Sequence, residues 1–240
     1  MITSNDNEKL KLARKLADRK HREREGLFLT EGEDLLRAGL DTGREPAFTL
    51  VAAGSGLSGE EVEPDLLAAN STLGSGTRVM AAWPQAWGAP QGPVCVYLHG
   101  VSDPGNVGAV IRTAHALVEG SVVLGPGCAD PHSPKAVRAT MGSIFGVVLA
   151  RAEVAETPTP RVGLVAHDGD APEGAGSPIT LCLGAEREGL PADVLDACES
   201  RWTIPLRPGG AESLNVAAAA AVALQRISSA AAEGEAGGGS

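Results

Sequence analysis

The stretch ITLCLGAEREGLPADVLDACESRWTIPLRPGGAESLNVAAAAAVALQR, residues 179–226, decides the fold of this chain. ITLCL is a short apolar run that stops at Gly184, and TIPL is another that stops at a turn rich in proline and glycine. Such runs are typical of buried strands in an α/β sheet, whose ends lead into ligand-binding loops. The stretch therefore predicts two buried strands, each followed by a polar loop, and then an alanine-rich helix.

The two loops of this stretch hold its polar residues. The first contains Gly184, Glu186 and Gly189 in the spacing G-x-E-x-x-G. The second contains Ser213 and Asn215 directly before the alanine run, where either side chain can cap the helix. Because capping is a purely structural role, each loop alone is a weak indication of a site. Both loops together are a stronger one.

Composition limits the class of protein. The 240 residues are 43% hydrophobic, which is enough for two domains with real cores. No apolar run approaches the roughly 20 residues that cross a membrane, and the polar N-terminus does not resemble a signal peptide. We therefore expect a cytoplasmic protein with no membrane partner. The 4 cysteines and 5 histidines are dispersed, so we expect neither disulfides nor a metal site.

The charge of the chain is unevenly distributed. The net charge is −10, but residues 1–24 carry eight Lys and Arg against four acids, which leaves −14 for the rest. Within 9–24, Leu10, Leu12 and Leu16 add an apolar stripe, so the segment predicts a basic amphipathic helix. Such a helix can face a nucleic acid or a membrane surface, or it can simply be solvated.

Residues 1–83 read as a small α/β unit, with strands predicted at FTLVAAG and TRVMAA, and 84–92 as a linker. After the first of these strands, Gly54, Gly56 and Gly59 match the G-x-G-x-x-G of dinucleotide-binding proteins. Acidic residues at 60–65 would repel a pyrophosphate there, and TRVMAA is not followed by a ribose-binding acid. We therefore favour a flexible turn over a dinucleotide site.

A second α/β unit begins with the buried strand VCVYLHG. The following segment, VSDPGNVGAVIRTAHAL, predicts a helix that starts near Val107 with Asn106 as its cap. Further along, Ser133 and Pro134 are expected to start a helix that carries Arg138. Strands and helices alternate, which predicts an α/β fold with a mostly parallel sheet covered on both faces.

Three elements of this second unit resemble the signature motifs of a known family. They are NVGAVIRTA at 106–114, LGAEREGL at 183–190 and IPL…ESLNVA at 204–217. In this order they resemble the motifs of the SpoU (TrmH-type) RNA ribose methyltransferases of the SPOUT superfamily. The resemblance covers about 93–228. Residues 1–83 resemble, more loosely, the L30e-like substrate-binding domain of many members, and 229–240 read as a disordered tail.

The resemblance implies a parallel sheet tied in a deep trefoil knot, a homodimer whose active site draws on both subunits, and S-adenosylmethionine as cofactor. The alanine-rich helix at 216–224 is a candidate for the dimer interface or for an ordinary core helix. The residues that the family pattern assigns to the cofactor are Leu183, Gly184, Ile204, Leu206 and Leu214.

By the same resemblance, the catalytic set is Asn106, Arg112, Glu186, Ser213 and Asn215. A guanidinium is a poor base because its pKa lies above about 12. We therefore interpret Arg112 as a bidentate phosphate clamp, with the other four residues holding the ribose hydroxyl and Arg112. The general base is unassigned. The predicted RNA contacts are Lys11, Lys15, Arg19 and Arg22 of the basic segment, and Arg138.

The resemblance implies methyl transfer to a ribose 2′-hydroxyl of RNA, with ribosomal RNA favoured and transfer RNA possible. Two alternatives remain open at this point. One is a catalytically silent RNA-binding member of the family. The other is a dinucleotide-dependent enzyme that uses 54–59.

Overall fold

The structure is a computed structural model that describes residues 1–73, 76–172 and 176–237. The chain folds into two compact units. The first contains Met1–Gln85 and Asp130–Gly146, and the second contains Ala86–Ala129 and Val147–Ser240. Within the described residues, no helix is both long and apolar enough to span a membrane.

The helices and strands alternate along much of the chain. In order they are α1 (Glu8–Lys15), α2 (Arg19–Glu25), β1 (Leu27–Glu31), α3 (Glu33–Asp41), β2 (Phe48–Ala52), β3 (Glu60–Val62), α4 (Pro64–Ala69), β4 (Val79–Pro84), β5 (Val94–Leu98), α5 (Pro104–Leu117), β6 (Gly120–Leu124), α6 (Pro134–Thr140), β7 (Val148–Arg151), β8 (Arg161–Leu164), β9 (Ile179–Leu183), α7 (Ala192–Asp196), β10 (Ser200–Trp202) and α8 (Val216–Gly237).

The first unit is built on a mixed sheet with the strand order β1-β4-β2-β3. Strand β4 is antiparallel to both of its neighbours, and β2 is parallel to β3. Helix α1 buries Leu10 and Leu16 in the same core as Leu50 of β2 and Leu67 of α4. The G-x-G-x-x-G stretch turns directly into β3, and its glycines have positive φ angles, which confirms the predicted turn.

The predicted basic helix over 9–24 is two helices in the structure, α1 and α2. Helix α1 ends at Lys15, and the side chain of Asp18 then accepts a hydrogen bond from the Lys20 N–H at 2.7 Å. An aspartate in this position caps the start of a new helix, which is why the segment breaks there.

Arg22 was predicted to contact RNA, and the structure contradicts this. Its side chain is only 3% exposed. Its Nε and Nη2 donate to the Asp130 carboxylate at 2.9 and 2.7 Å, and its Nη1 donates to the carbonyls of Leu16 and Ala17. The alternation of charged and apolar residues could not reveal this, because the buried partner lies 108 residues away.

The segment Asp130–Gly146 belongs to the first unit although it follows β6 of the second. The His132 ring lies tilted against Phe28 of β1 with ring centroids 4.8 Å apart, and Phe145 packs edge-on against Trp83 of β4 at 4.8 Å. Ser133 caps α6 as expected, since its side chain accepts from the Ala136 N–H. The predicted domain boundaries, which place this segment in 93–228, stay a prediction.

The second unit is a parallel sheet with the strand order β10-β8-β9-β5-β6-β7. All five residues of β5 and of β9 are buried. Strands covered on both faces read as continuous apolar runs, so the predictions drawn from VCVYL and ITLCL are confirmed. Helices α5 and α8 pack against each other within this unit. The predicted α/β fold with a parallel sheet and an N-terminal domain agrees with this arrangement.

Two predictions near the C-terminus differ from the structure. TIPL is not a strand, because β10 ends at Trp202 and the chain continues as an irregular loop. Pro205 has no N–H for a ladder, and the Thr203 N–H is used by the carbonyl of Asp170 at 2.8 Å. Helix α8 runs to Gly237, consistent with alanine's high helix propensity, and so overlaps the predicted tail over 229–237. Residues 238–240 lie outside the described residues.

Candidate active site

A cavity of about 500 Å³ opens where loops leave the sheet of the second unit. Strands β8, β9 and β5 are parallel neighbours, so their carboxyl ends lie at one edge of the sheet. In α/β proteins this edge is where ligands bind. The walls come from the loops after β8, β9 and β10 and from the start of α8.

All of the residues predicted to bind the cofactor line this cavity. They are Leu183, Gly184, Ile204, Leu206 and Leu214. Gly184 marks a point of very close backbone approach, because a Cβ atom there would lie 2.1 Å from the carbonyl carbon of Gly189. The walls combine such backbone with apolar side chains, and the volume is in the range of small-molecule sites. Backbone beside apolar side chains can bind a ligand that has both polar and apolar parts.

Three of the predicted catalytic residues form one hydrogen-bonded cluster. The Nδ2 of Asn106 donates to Glu186 Oε1 at 2.6 Å. The Nδ2 of Asn215 donates to the same oxygen at 2.5 Å and lies 3.1 Å from Asn106 Oδ1. Glu186 also lines the cavity, so the cluster stands at its wall. The members are separated by up to 109 residues in the chain, and only the fold brings them together.

Helix capping explains how the two asparagines reach Glu186. Asn106 was expected to cap α5, but the helix begins at Pro104 and Asp103 is the cap, accepting from the Asn106 N–H at 3.0 Å. Its amide side chain is therefore available to Glu186. Asn215 caps α8 with Oδ1, which accepts from the Ala217 N–H at 2.9 Å, while its Nδ2 points to Glu186. One side chain thus fixes the helix start and completes the cluster.

The other two predicted catalytic residues lie outside this cluster. Ser213 is exposed and lines the cavity. Arg112 is exposed on α5 and has no hydrogen-bond or ion-pair partner among the described residues. It follows Asn106 by six residues, which places it about 120° around the helix at 3.6 residues per turn. Its guanidinium therefore remains available to a ligand that approaches from outside.

Sequence reasoning missed one wall of the cavity. Val165, Ala166 and His167 follow β8 and line it together with the predicted residues. The signal was present, since RVGLVAH reads as a strand and parallel neighbours end at the same edge. Arg187 and Glu212 stand within the quoted motifs and also line the cavity, but neither was assigned a role from the sequence.

The thiols beneath the cavity are poor nucleophiles at neutral pH. A hydrogen bond with Cys198 and burial raise the pKa of Cys182, which directly precedes Leu183. Burial also raises the pKa of Cys95 in the neighbouring strand β5. A thiol in this state is inert, so the chemistry of the site depends on the polar cluster instead. Within the described residues, no group of three or more metal-ligating side chains is assembled.

The remaining residues predicted to contact RNA lie in the first unit. Lys15 is exposed, whereas Lys11 pairs with Asp6 at 3.0 Å and Arg19 pairs with Glu23 at 2.8 Å. These pairs are exposed, and such surface pairs are weak enough to exchange for a phosphate. Arg138 is exposed on α6, and its Nη1 donates to the Thr72 hydroxyl at 3.1 Å.

Two family models match this chain, one in its N-terminal part and one in its C-terminal part. The model of the SpoU rRNA Methylase family matches residues 93–225. The model of the MRM3-like substrate binding domain matches residues 7–80.

Individual relatives carry related names. An uncharacterized tRNA/rRNA methyltransferase of Mycobacterium tuberculosis is 39% identical over 143 residues, which cover 53% of this chain and 49% of the relative. The chain thus spans about half the length of that relative. The 23S rRNA (guanosine(2553)-2′-O)-methyltransferase RlmP of Bacillus subtilis is 29% identical over 258 residues, covering 94% of this chain and 98% of the relative.

Solved structures share the architecture over nearly the whole chain. An AdoMet-bound rRNA methyltransferase from Sinorhizobium meliloti has a TM-score of 0.83 and 27% identity, with 94% of this chain and 96% of that chain covered. The SpoU methyltransferase AviRb from Streptomyces viridochromogenes, in complex with AdoMet, has a TM-score of 0.81 and 25% identity, covering 93% and 97%. The fold of both units is therefore that of these proteins.

Proposed function

We propose that this chain, which belongs to the SpoU rRNA methylase family, transfers a methyl group from S-adenosylmethionine to a ribose 2′-hydroxyl of ribosomal RNA. The observation that carries the proposal is the Asn106–Glu186–Asn215 cluster at the wall of the 500 Å³ cavity. Ribosomal RNA is favoured over transfer RNA because RlmP, a relative similar over nearly the full chain, is named for a 23S rRNA activity.

The cavity has the features that S-adenosylmethionine requires. When bound, this cofactor supplies an electrophilic methyl group on a sulfonium sulfur. Leu183, Leu206 and Leu214 would hold its apolar parts, and backbone groups of the loop that opens at Gly184 would hold its polar parts. The tight approach of Gly184 to Gly189 keeps that loop folded over the cavity floor.

The cluster positions the hydroxyl that is to be methylated. Two amides donate to Oε1 of Glu186, which fixes the carboxylate, and among the described residues no donor reaches its Oε2. This oxygen is thus the acceptor available to a ribose hydroxyl. Methyl transfer needs the hydroxyl oxygen in line with the bond to be broken, so holding the hydroxyl is the main catalytic task. Ser213 adds a second polar contact at the same wall.

Arg112 would bind the phosphate next to the target ribose. A guanidinium presents a planar fork that matches two phosphate oxygens, and the positive charge makes the neighbouring hydroxyl easier to deprotonate. Its lack of a partner in the free protein is the observation that supports this role. The general base stays unassigned.

The Arg112 assignment is tested by substitution. Arg112→Ala is expected to reduce methyl transfer to ribosomal RNA at least about a hundredfold, the typical cost of removing one charge-stabilising group. Arg112→Lys is expected to fail almost as badly, because lysine lacks the bidentate fork. Calorimetric binding of S-adenosylmethionine should change by no more than a few-fold, and Arg201→Ala serves as a control at an exposed arginine of the same unit. Turnover by the lysine variant at the wild-type rate would refute the clamp.

Three features complete the proposal. We propose a trefoil knot, because the C-terminal segment at Thr203 contacts the loop after β8, where the Gly169 N–H donates to its hydroxyl at 2.9 Å. We propose a homodimer, because α8 exposes Val222 on a helix rich in small residues. We propose a cytoplasmic location, since ribosomal RNA would be the substrate. Gel filtration with light scattering tests the dimer.

A further inference from the structure

A second, smaller cavity of about 200 Å³ lies within the first unit, and none of its lining residues is assigned above to catalysis or the cofactor. Apolar side chains that include Ala17, Leu29 and Pro134 form part of its wall. The polar part consists of Arg14, Glu31, Asn70 and Thr72. Its volume is below the roughly 300 to 1,000 Å³ of sites for whole drug-sized ligands, so it would take a smaller, compact group.

Arg14 brings a positive charge to this cavity, whose lining also includes the Glu31 carboxylate. Its Nη1 donates to the side-chain oxygens of Asn5 and Asn70 at 2.9 and 2.6 Å, and its Nη2 donates to the Asn5 carbonyl at 3.0 Å. All of these acceptors are neutral. They hold the guanidinium in place and leave part of its five N–H donors available to a ligand.

Arg138 stands at the rim of the same cavity. Pro134 lines the cavity, and Arg138 follows it by four residues on α6, which places both on one face of the helix. The Arg138 Nη1 donates to the hydroxyl of Thr72, and that hydroxyl is bonded in turn to Glu31 at 2.7 Å. Because Glu31 also accepts from the Thr72 N–H and the Ser71 hydroxyl, its carboxylate is satisfied within the wall.

A cavity with partly apolar walls, one guanidinium held in its lining and a second at its rim suits a flat group attached to an anionic chain. Proteins that read single-stranded RNA place unstacked bases against apolar or guanidinium surfaces and bond their edges. We propose that this cavity receives one unpaired base of the RNA, with Arg14 donating to an acceptor on the base edge and Arg138 contacting the adjoining phosphate. The identity of the ligand as RNA rests on the proposed function.

The test fills the cavity without adding or removing charge. Ala17 lines the cavity from an exposed position, so Ala17→Phe obstructs it with little effect on folding. Ala47→Phe is the matched control, since Ala47 is also exposed and belongs to the same unit but not to the cavity. The probes are a fluorescent oligouridylate of about 12 nucleotides, within the range of single-strand sites, and a strand of equal length whose central nucleotides lack bases.

We expect Ala17→Phe to weaken oligouridylate binding about tenfold, within the range that one stacked base contributes. Binding of the abasic strand should be unchanged, as should both affinities of Ala47→Phe. Arg138→Ala should weaken both strands and lower the salt slope by about 0.7, the value for one phosphate contact on a single strand. Circular dichroism and thermal melting of each full-length variant check that the fold is kept.

Oligouridylate binding by Ala17→Phe at the wild-type affinity would overturn the inference. So would wild-type protein that binds the abasic strand as tightly as oligouridylate. Methyl transfer and S-adenosylmethionine binding are measured on the same preparations. If wild-type protein transfers methyl groups but Ala17→Phe binds RNA normally, the cavity inference fails alone. If wild-type protein neither binds S-adenosylmethionine nor transfers methyl groups while the base-dependent loss is seen, the proposed function fails alone.

Discussion

The buried ion pair between Arg22 and Asp130 is expected to be a main support of the first unit. The Nε and Nη2 of Arg22 lie within 2.9 Å of the same Asp130 carboxylate oxygen. The side chain of Arg22 is 3% exposed and that of Asp130 is 7% exposed. Asp130 also accepts from the His132 N–H at 2.9 Å, so it shapes the turn that leads into α6. Asp130→Ala therefore leaves a buried guanidinium without its counter-charge and releases this turn.

The expected cost follows from the environment of Arg22. Removing one partner of a buried pair typically costs about 3 to 5 kcal/mol. Arg22 keeps the carbonyls of Leu16 and Ala17 as acceptors, so we expect the lower end, about 3 kcal/mol. That corresponds to roughly a hundredfold change in the unfolding equilibrium. The double change Arg22→Met with Asp130→Leu should recover most of the loss, because apolar replacements of such pairs are often neutral.

Native-state hydrogen exchange measures this within one unit of a two-unit chain. Amides of β1, which are hydrogen-bonded to β4 in the core of the first unit, should exchange roughly a hundredfold faster in Asp130→Ala. Asp6→Ala is the matched control, since its pair with Lys11 is exposed and such pairs contribute little. Protection of β1 in Asp130→Ala within about threefold of wild type would refute the reasoning, because that difference is well under 1 kcal/mol.

Three further predictions follow from the second unit and the basic segment. Gly184→Ala should abolish S-adenosylmethionine binding in calorimetry, because its Cβ would overlap the Gly189 backbone, whereas Gly176→Ala, with open space around it, should bind normally. Neutralising Lys11, Lys15 and Arg19 together should lower the slope of log K for RNA binding against log salt concentration by up to about 2 to 3, at roughly 0.7 to 0.9 per phosphate contact. An unchanged slope would mean that these side chains contact only solvent. Iodoacetamide should modify Cys198 at lower pH than Cys182. Their hydrogen bond lowers the pKa of Cys198 and raises the pKa of Cys182, so the thiolate of Cys198 forms first as pH rises. Peptide mass spectrometry that finds Cys182 labelled first would contradict this.

The sequence by itself determined the parallel sheet of the second unit and part of the lining of its cavity. The apolar runs of β5 and β9 required burial on both faces, and a glycine at the end of β9 marked the point where the chain turns. The motif residues from Leu183 to Leu214 were assigned to the cofactor by their resemblance to the family pattern, and they line one cavity because loops at the carboxyl ends of parallel strands share one edge of the sheet. Local patterns of this kind indicate whether a side chain is buried or caps a helix.

Only the tertiary structure decided which residues meet. Periodicity made Arg22 a surface charge, yet a carboxylate 108 residues away turns it into a buried support. Asn106 suited a helix cap, but Asp103 takes that role and frees Asn106 for Glu186, 80 residues further on. The physical reason is the same in each case. A sequence pattern specifies that a polar group must be satisfied, whereas the path of the chain through both units determines the partner that satisfies it.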